Sequence, residues 1–432
     1  MMKAESKMYI KNIWQNLGML QGRIERKKQV MDCLSKDTCT AFNVVNNEQK
    51  QMFQKLKEKY NEIRVHRLWS TRIGEYVIRY LMAVEDSNRN VSEGILDVFV
   101  LSDCVNHNSR LSAIMGRNIC IIDRTNVDMW VSILCDFPKV EFTKYWKDYA
   151  LTDKDRIFRA DITAKYFMLT SEEEKEGEIK RKLMGLHGSF VCIASRDPAF
   201  LEIVEPSTNY DRHFHDYRDS SIDRLHLAAG YLSEKGIMTV RMGRNVKEKV
   251  SFNNCIDYAN KYYDEFMDIF LMKECKFYAG DSNGVCILPM ALNRPVALKN
   301  VIPPFLDGFG GHPQNPKNLY IFKKYFKRSE NRFLSIREMM QVEKLVRWDG
   351  RRYAKLGIEV VENSEEEILD LVMEMNARID GEWVETSEDI ALQKKYQDMF
   401  KKWCEQEEWK ENAVLHGKVG ALFLRKNRFL LV

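Results

Sequence analysis

A chain of 432 residues, 45% of them hydrophobic, is long enough to build two domains with full-sized cores. Charged residues make up 30%, yet 67 Lys and Arg stand against 63 Asp and Glu; a net charge of +4 is too even for a dedicated nucleic-acid binder. Ten cysteines without a CxxC pair or finger spacing argue against a zinc finger or a disulfide scaffold, and fit a reduced, cytoplasmic setting.

Residues 1–59 are expected to form a helical arm. Ile10, Ile13, Trp14, Leu17, Leu20 and Ile24 make one apolar stripe, with Lys7, Lys11, Arg23, Arg26, Lys27 and Lys28 among them. Such a stripe docks on its own domain or lies on an anionic membrane face, so peripheral membrane contact is an expectation here. No stretch has the length of a membrane span or the apolar core of a signal peptide.

Residues 60–185 read as an N-terminal α/β domain. IRVHRLW is a strand, STRIGE a turn and Tyr76 to Val84 a helix; Leu96–Leu101 and Ile119–Ile122 are strands around a helix from Asn108 to Met115. Strands alternating with helices imply a parallel sheet with helical crossovers. The charged stretch 139–185, ending in SEEEKEGEIKRK, is expected as a helical connection with a solvated face.

A second α/β domain is expected over 186–392. FVCIAS is a strand, Ser221 opens a helix ended by Gly236, Ile237–Met242 is a strand, and Asp264–Met272 is a helix. The run KFYAGDSNGVCILPMALNRPVALKN then reads strand, polar turn, helix, strand. Ile358–Val361 is a further strand, and Ser364 with Glu367 makes a capping box. Residues 393–432 form a closing helix and apolar tail, expected to pack back on the N-terminal domain. The fold class is α/β: two Rossmann-like domains facing across a cleft, which would hold the site.

Three clusters fall at strand ends of the second half: Ser195-Arg196-Asp197, Arg241-Met242-Gly243 and Asp281-Ser282-Asn283-Gly284. In a parallel sheet they open onto one edge, where ligands bind. Arginines there can pair two phosphate oxygens, or simply make surface ion pairs. The turn at Ser282 to Gly284, with Gly280 beside it, can cradle an anion with its backbone N–H groups, or can merely cap the next helix. In YRDSSID, capping accounts for Ser220, Ser221 and Asp223, leaving Tyr217 and Arg218 for function. Glu75, after the first strand, suits a general base or a helix N-terminus, with Asp103 a weaker rival.

Other patterns fall away. His213-Phe214-His215-Asp216 lacks the further ligands of a closed metal site, and Asp153-Lys154-Asp155 lies in the charged stretch rather than at a strand end. Gly308 to Gly311 reads as a flexible lid or long turn. GxGxxG after a strand and GxxxxGK[ST] are both missing, which removes the main support for dehydrogenase and P-loop chemistry.

YRDSSIDRLHLAAGYLSEKGIMTVRMG and EFMDIFLMKECKFYAGDSNGVCILPMALNRPVAL resemble a family of bacterial polysaccharide-biosynthesis glycosyltransferases, with weaker similarity from about residue 60 to the end. A more distant likeness is to fucosyltransferases. The resemblance implies a GT-B architecture with the nucleotide-sugar donor on the C-terminal half, and hexosyl or deoxyhexosyl transfer to a glycan or lipid-linked acceptor. No cofactor or metal is implied beyond the nucleotide sugar, and no nucleic acid. By position, Tyr217, Arg218 and Asp223 match a YR…D motif, Arg241 to Gly243 an RMG motif, and Ser282 with Gly284 a donor loop. Two departures stand out: Asp281 where a small or hydroxyl residue is expected, and Gly74-Glu75 where Gly-His is common. With the donor at this edge, Arg196, Arg241 and the turn would stabilise the leaving diphosphate. Glu75 would deprotonate an acceptor if transfer inverts; a retaining course needs no such base. A sugar-nucleotide epimerase and a non-catalytic carbohydrate-binding scaffold of the same fold are the alternatives.

Overall fold

The computed structural model describes residues 21–22, 24–25, 47–102, 107–123, 127–142, 158–204, 212–305, 313–346, 349–406 and 417–432. Most of the basic N-terminal stripe, Asp103, Asp153 to Asp155 and the glycine run 308–311 lie outside them. The chain divides into two compact units, Met1–Ala150 and Leu151–Val432.

The first unit runs α1 (Asn47–Lys59), β1 (Glu62–Leu68), α2 (Ile73–Val91), β2 (Ile95–Leu101), α3 (Ser109–Met115), β3 (Cys120–Ile122), α4 (Val127–Asp136) and β4 (Val140–Phe142). Its sheet has the order β3-β2-β1-β4 and is parallel throughout. Strand β2, ILDVFVL, is buried along nearly its whole length, as a strand covered on both faces should be. Asn108 caps α3 by accepting the Leu111 N–H at 2.8 Å. Ile63, Val65, Leu96, Val98, Ile122, Trp130 and Leu134 form the core under the sheet. The chain moves outward through β1, β2 and β3, then returns to the other side of β1 with β4, so its order reverses between β1 and β4.

The second unit carries a seven-stranded parallel sheet. Its strands are β5 (Phe190–Ala194), β6 (Met238–Arg241), β7 (Cys255–Ile256), β8 (Tyr278–Asp281), β9 (Val296–Val301), β10 (Leu319–Phe322) and, last in the chain, Lys418–Val419. Their order across the sheet is Lys418–Val419, β10, β9, β8, β5, β6, β7. The chain builds β5, β6 and β7 in one direction, then restarts on the other side of β5 with β8. A topological switch point therefore lies between the ends of β5 and β8. A smaller antiparallel sheet joins Lys324–Lys327 to Arg332–Phe333 and Ile358–Val361. Ser364 and Glu367 make the expected capping box on the helix Glu365–Asp380.

The observed boundaries correct the expected ones. Val140–Phe142 is not connection but an edge strand paired to β1; three half-exposed residues carry no apolar period to announce it. The helix Ser171–Leu183 belongs with the second unit. Lys180 pairs with Asp264 at 2.7 Å, and Glu174 with Lys273 at 2.8 Å, so its charged face is partly spent on ion pairs rather than solvated. The closing helix, Ser387–Gln406, also belongs to the second unit rather than to the N-terminal half. There Phe305 lies 5.3 Å from both Tyr396 and Phe400, and Tyr396 Oη donates to Pro304 O at 2.7 Å. That helix starts earlier than expected because Thr386 caps it, reciprocally with Asp389.

Candidate functional site

At the switch point of the second unit, five neighbouring strands end on or beside a charged side chain. Lys323 follows β10, Lys299 lies in β9 level with Asp281 at the end of β8, Arg196 lies just beyond β5, and Arg241 ends β6. Lys323, Lys299, Asp281 and Arg241 are each no more than 2% exposed. Parallel strands expose their last residues to the same edge, and burial there makes each charge matter.

Asp281 is the hub. Its Oδ1 accepts from Lys299 Nζ at 2.6 Å and Asn300 Nδ2 at 3.1 Å, and its Oδ2 from Arg196 N at 2.7 Å and Ser220 Oγ at 2.5 Å. Burial works against its charge, but Lys299, Ser220 and the Arg196 amide together hold its pKa below the usual carboxylate range. Asp281 is thus a structural tie and not a charge facing a ligand, which corrects its placement among the donor-binding residues. Gly280, before it, is needed for another reason than anion approach. A Cβ there would lie 2.4 Å from Ala194 O on the neighbouring strand.

The segment 212–221 runs over this edge. Lys323 Nζ donates to Tyr217 O and Asp219 O at 2.8 and 3.1 Å, and Lys299 Nζ also donates to Ser220 Oγ at 2.7 Å. Arg196 donates to His215 O at 3.3 Å and pairs with Asp219. Arg218 Nη2 reaches Ser282 O at 3.0 Å, joining the segment to the 282–284 turn. The Tyr217 ring lies 5.2 Å from Tyr353, and burial pushes its phenol up to about 12. Arg196, Tyr217, Arg218, Asp281 and Ser282 are therefore brought together at one edge. Four cations, Arg196, Arg218, Lys299 and Lys323, stand with the carboxylates Asp219 and Asp281, and with Glu362 acting on Lys323, positive charge is still in excess.

Other expected roles change. Arg241 is 1% exposed and donates to Asp257 Oδ1 at 3.2 Å, so it is a buried partner of the 255–257 strand end and not a phosphate ligand on an open edge. Gly243 is conformational: its φ is +143°, and a Cβ would meet Val246 Cγ1 at 2.8 Å. Asn283 Oδ1 accepts the Val285 and Cys286 N–H groups at 2.9 and 3.3 Å, so the turn caps its own helix. Gly284 is exposed at the start of that short helix. Ser221 caps the following turn, but Ser220 does not; it binds Asp281.

In the first unit, Glu75 stands in the first turn of α2, with Oε2 3.3 Å from Arg79 Nη2 and its side chain 23% exposed. Arg79 in turn lies over the Trp69 ring at 5.4 Å. At the ends of β1 and β2, Ser70 N donates to Ser102 Oγ at 2.9 Å.

Lys299, Lys323, Asn300 and Ser220 were not legible as site residues by motif. The available signal was a lysine inside the apolar run VALKNV and another directly after LYIF, each where a buried parallel strand should carry none.

No family model matches the chain. A search of curated proteins finds no match either. Among solved structures, the glycosyl transferase family 9 protein from Veillonella parvula DSM 2008 is 11% identical, covers 73% of this chain and 98% of its own, with a TM-score of 0.36. The E. coli ADP-heptose LPS heptosyltransferase II is 12% identical over 54% of this chain and 83% of its own, with a TM-score of 0.31. A variant of the wall teichoic acid polymerase TagF is 10% identical over 87% and 99%, with a TM-score of 0.27. At such scores the fold is read from this chain's own strand orders.

Proposed function

We propose that this protein is a glycosyltransferase that takes a nucleotide-sugar donor at the switch point of its second unit and passes the sugar to a glycan or lipid-linked acceptor in bacterial surface polysaccharide assembly. The observation that carries the reading is the charged edge: buried lysines and half-buried arginines in excess of carboxylates, collected at the strand ends where a parallel α/β sheet binds its ligand. The resemblance of YRDSSID and its neighbouring segments to polysaccharide-biosynthesis transferases agrees with that place.

Cleaving a nucleotide sugar leaves charge on the diphosphate as the glycosidic bond breaks. Cations fixed beforehand in a water-poor site stabilise that charge with little reorganisation. Arg218 and Arg196 suit this role, since their guanidinium groups are held at the edge by backbone carbonyls and Asp219. Arg241, tied to Asp257, is better placed to hold the sheet edge than to touch the donor. Glu75 keeps the proposed role of base on the acceptor hydroxyl, for an inverting course only.

A thermal-shift screen against UDP-, GDP-, dTDP-, CMP- and ADP-linked sugars tests the donor. A ligand that binds only the folded state raises its apparent stability. One nucleotide family should raise the melting temperature, and Arg218→Ala should abolish the shift. No shift with any of the five removes the reading. Donor turnover without an acceptor would instead identify an epimerase.

A further inference from the structure

Lys299 and Lys323 stand at neighbouring strand ends and are equally buried, at 1% and 2% exposure. They are satisfied in different ways. Lys299 has Asp281 Oδ1 at 2.6 Å, so its charge is matched where it lies. Lys323 donates to two peptide carbonyls, Tyr217 O and Asp219 O, and among the described residues it has no ion-pair partner. A third ammonium proton remains, and the charge is offset only at longer range, by Glu362 and Asp281. Carbonyl dipoles do not neutralise a buried cation, and an unmatched one weakens the fold. Burial pushes the Lys323 ammonium down to about 8. Glu362 and Asp281 oppose that fall, while Lys299 and Arg196 add to it.

The two carbonyls belong to the segment that covers the switch point, and other bonds tie it to the neighbouring turns. Arg218 holds Ser282 O, the Ser220 N–H reaches Arg196 O at 3.3 Å, and the Gly350 N–H reaches Phe214 O at 2.8 Å. A phosphate oxygen carries formal negative charge where a carbonyl has only a dipole, so a phosphate at this edge adds ion pairing to the hydrogen bond and would displace the carbonyls from Lys323.

We propose that Lys323 binds a phosphate group of the ligand taken at this switch point, and that Tyr217 O and Asp219 O occupy the places of two phosphate oxygens until it arrives. The proposal rests on the donor-site reading and adds to it the group recognised and the residue that recognises it. Binding then frees the 217–219 peptides from their tie to β10.

Calorimetric titration of pyrophosphate into the full chain compares the wild type with Lys323→Met and Lys323→Arg. The wild type should bind, Lys323→Met should bind at least about tenfold more weakly, and Lys323→Arg should recover most of the loss. Hydrogen exchange on the wild type gives a second readout that needs no variant to fold. Pyrophosphate should speed exchange of the amides over residues 217–220. Equal affinity in Lys323→Met, an absence of pyrophosphate binding by the wild type, or exchange that is unchanged or slowed, overturns the proposal. Pyrophosphate binding through Lys323 without binding of any nucleotide sugar would sink the transferase reading alone. Nucleotide-sugar binding indifferent to Lys323 would sink only this one.

Discussion

The two units solve the same topological problem with different electrostatics. Each has a parallel sheet whose strand order reverses once, between β1 and β4 in the first and between β5 and β8 in the second. The first unit closes the ends of β1 and β2 with two serines, Ser70 and Ser102, in a neutral contact. The second closes its edge with buried lysines and half-buried arginines around Asp281 and Asp219. Architecture supplies the edge, and the residues placed on it decide whether the edge is a hinge of packing or a site for charge.

Breaking the charged edge should cost far more than breaking the neutral one. Asp281→Ala strips four donors of their acceptor and leaves Lys299 buried without a counter-ion. Urea unfolding should show a loss of about 3–5 kcal/mol. Arg241→Ala should fall at the lower end of that range, because Asp257 loses its buried partner but keeps the Val250 and Asn260 donors.

Lys323 sharpens the contrast through pH. Its folded pKa is lowered from 10.5 to about 8, so between those values the unfolded chain holds a proton that the folded one has lost. Stability therefore rises with pH across this window, by about 3 kcal/mol for this group, and the penalty is fully present below pH 8. Measured against Lys323→Met at each pH, the wild type should gain that amount between pH 7 and 10.5. A flat difference would mean that the ammonium is not held down by burial.

On the neutral edge, Ser102→Ala should cost about 1 kcal/mol, the worth of one hydroxyl contact to the Ser70 N–H. Glu75→Gln should be smaller still, within about 0.5 kcal/mol, since its pair with Arg79 is a partly exposed helical one. If Glu75 is the base, the same variant should lower transfer by about a hundredfold or more. A large stability loss there would recast Glu75 as structural.

Much of the scaffold was legible because buried parallel strands read as apolar runs and helices announce their caps. FVCIA, ILDVFV and the Ser364–Glu367 box stand where the pattern puts them. Short edge strands such as Val140–Phe142 and Cys255–Ile256 were not, since two or three half-exposed residues have no period. Within the site, the strand ends were legible and the partners were not. Asp281 looked like a charge beside phosphate because its partners lie 85, 61 and 18 residues away, at Arg196, Ser220 and Lys299.

The amino-acid order alone therefore determined which segments alternate as strand and helix, and which charged residues stand at strand ends, because both follow from local periodicity and capping. Only the tertiary structure decided which of those charges are matched. That depends on which strands become neighbours and which loop crosses them, and a buried charge takes its meaning from whatever lies within a few ångströms. Arg241 and Asp281 were thereby turned into internal ties, and Lys323 into a buried cation held by two peptide carbonyls.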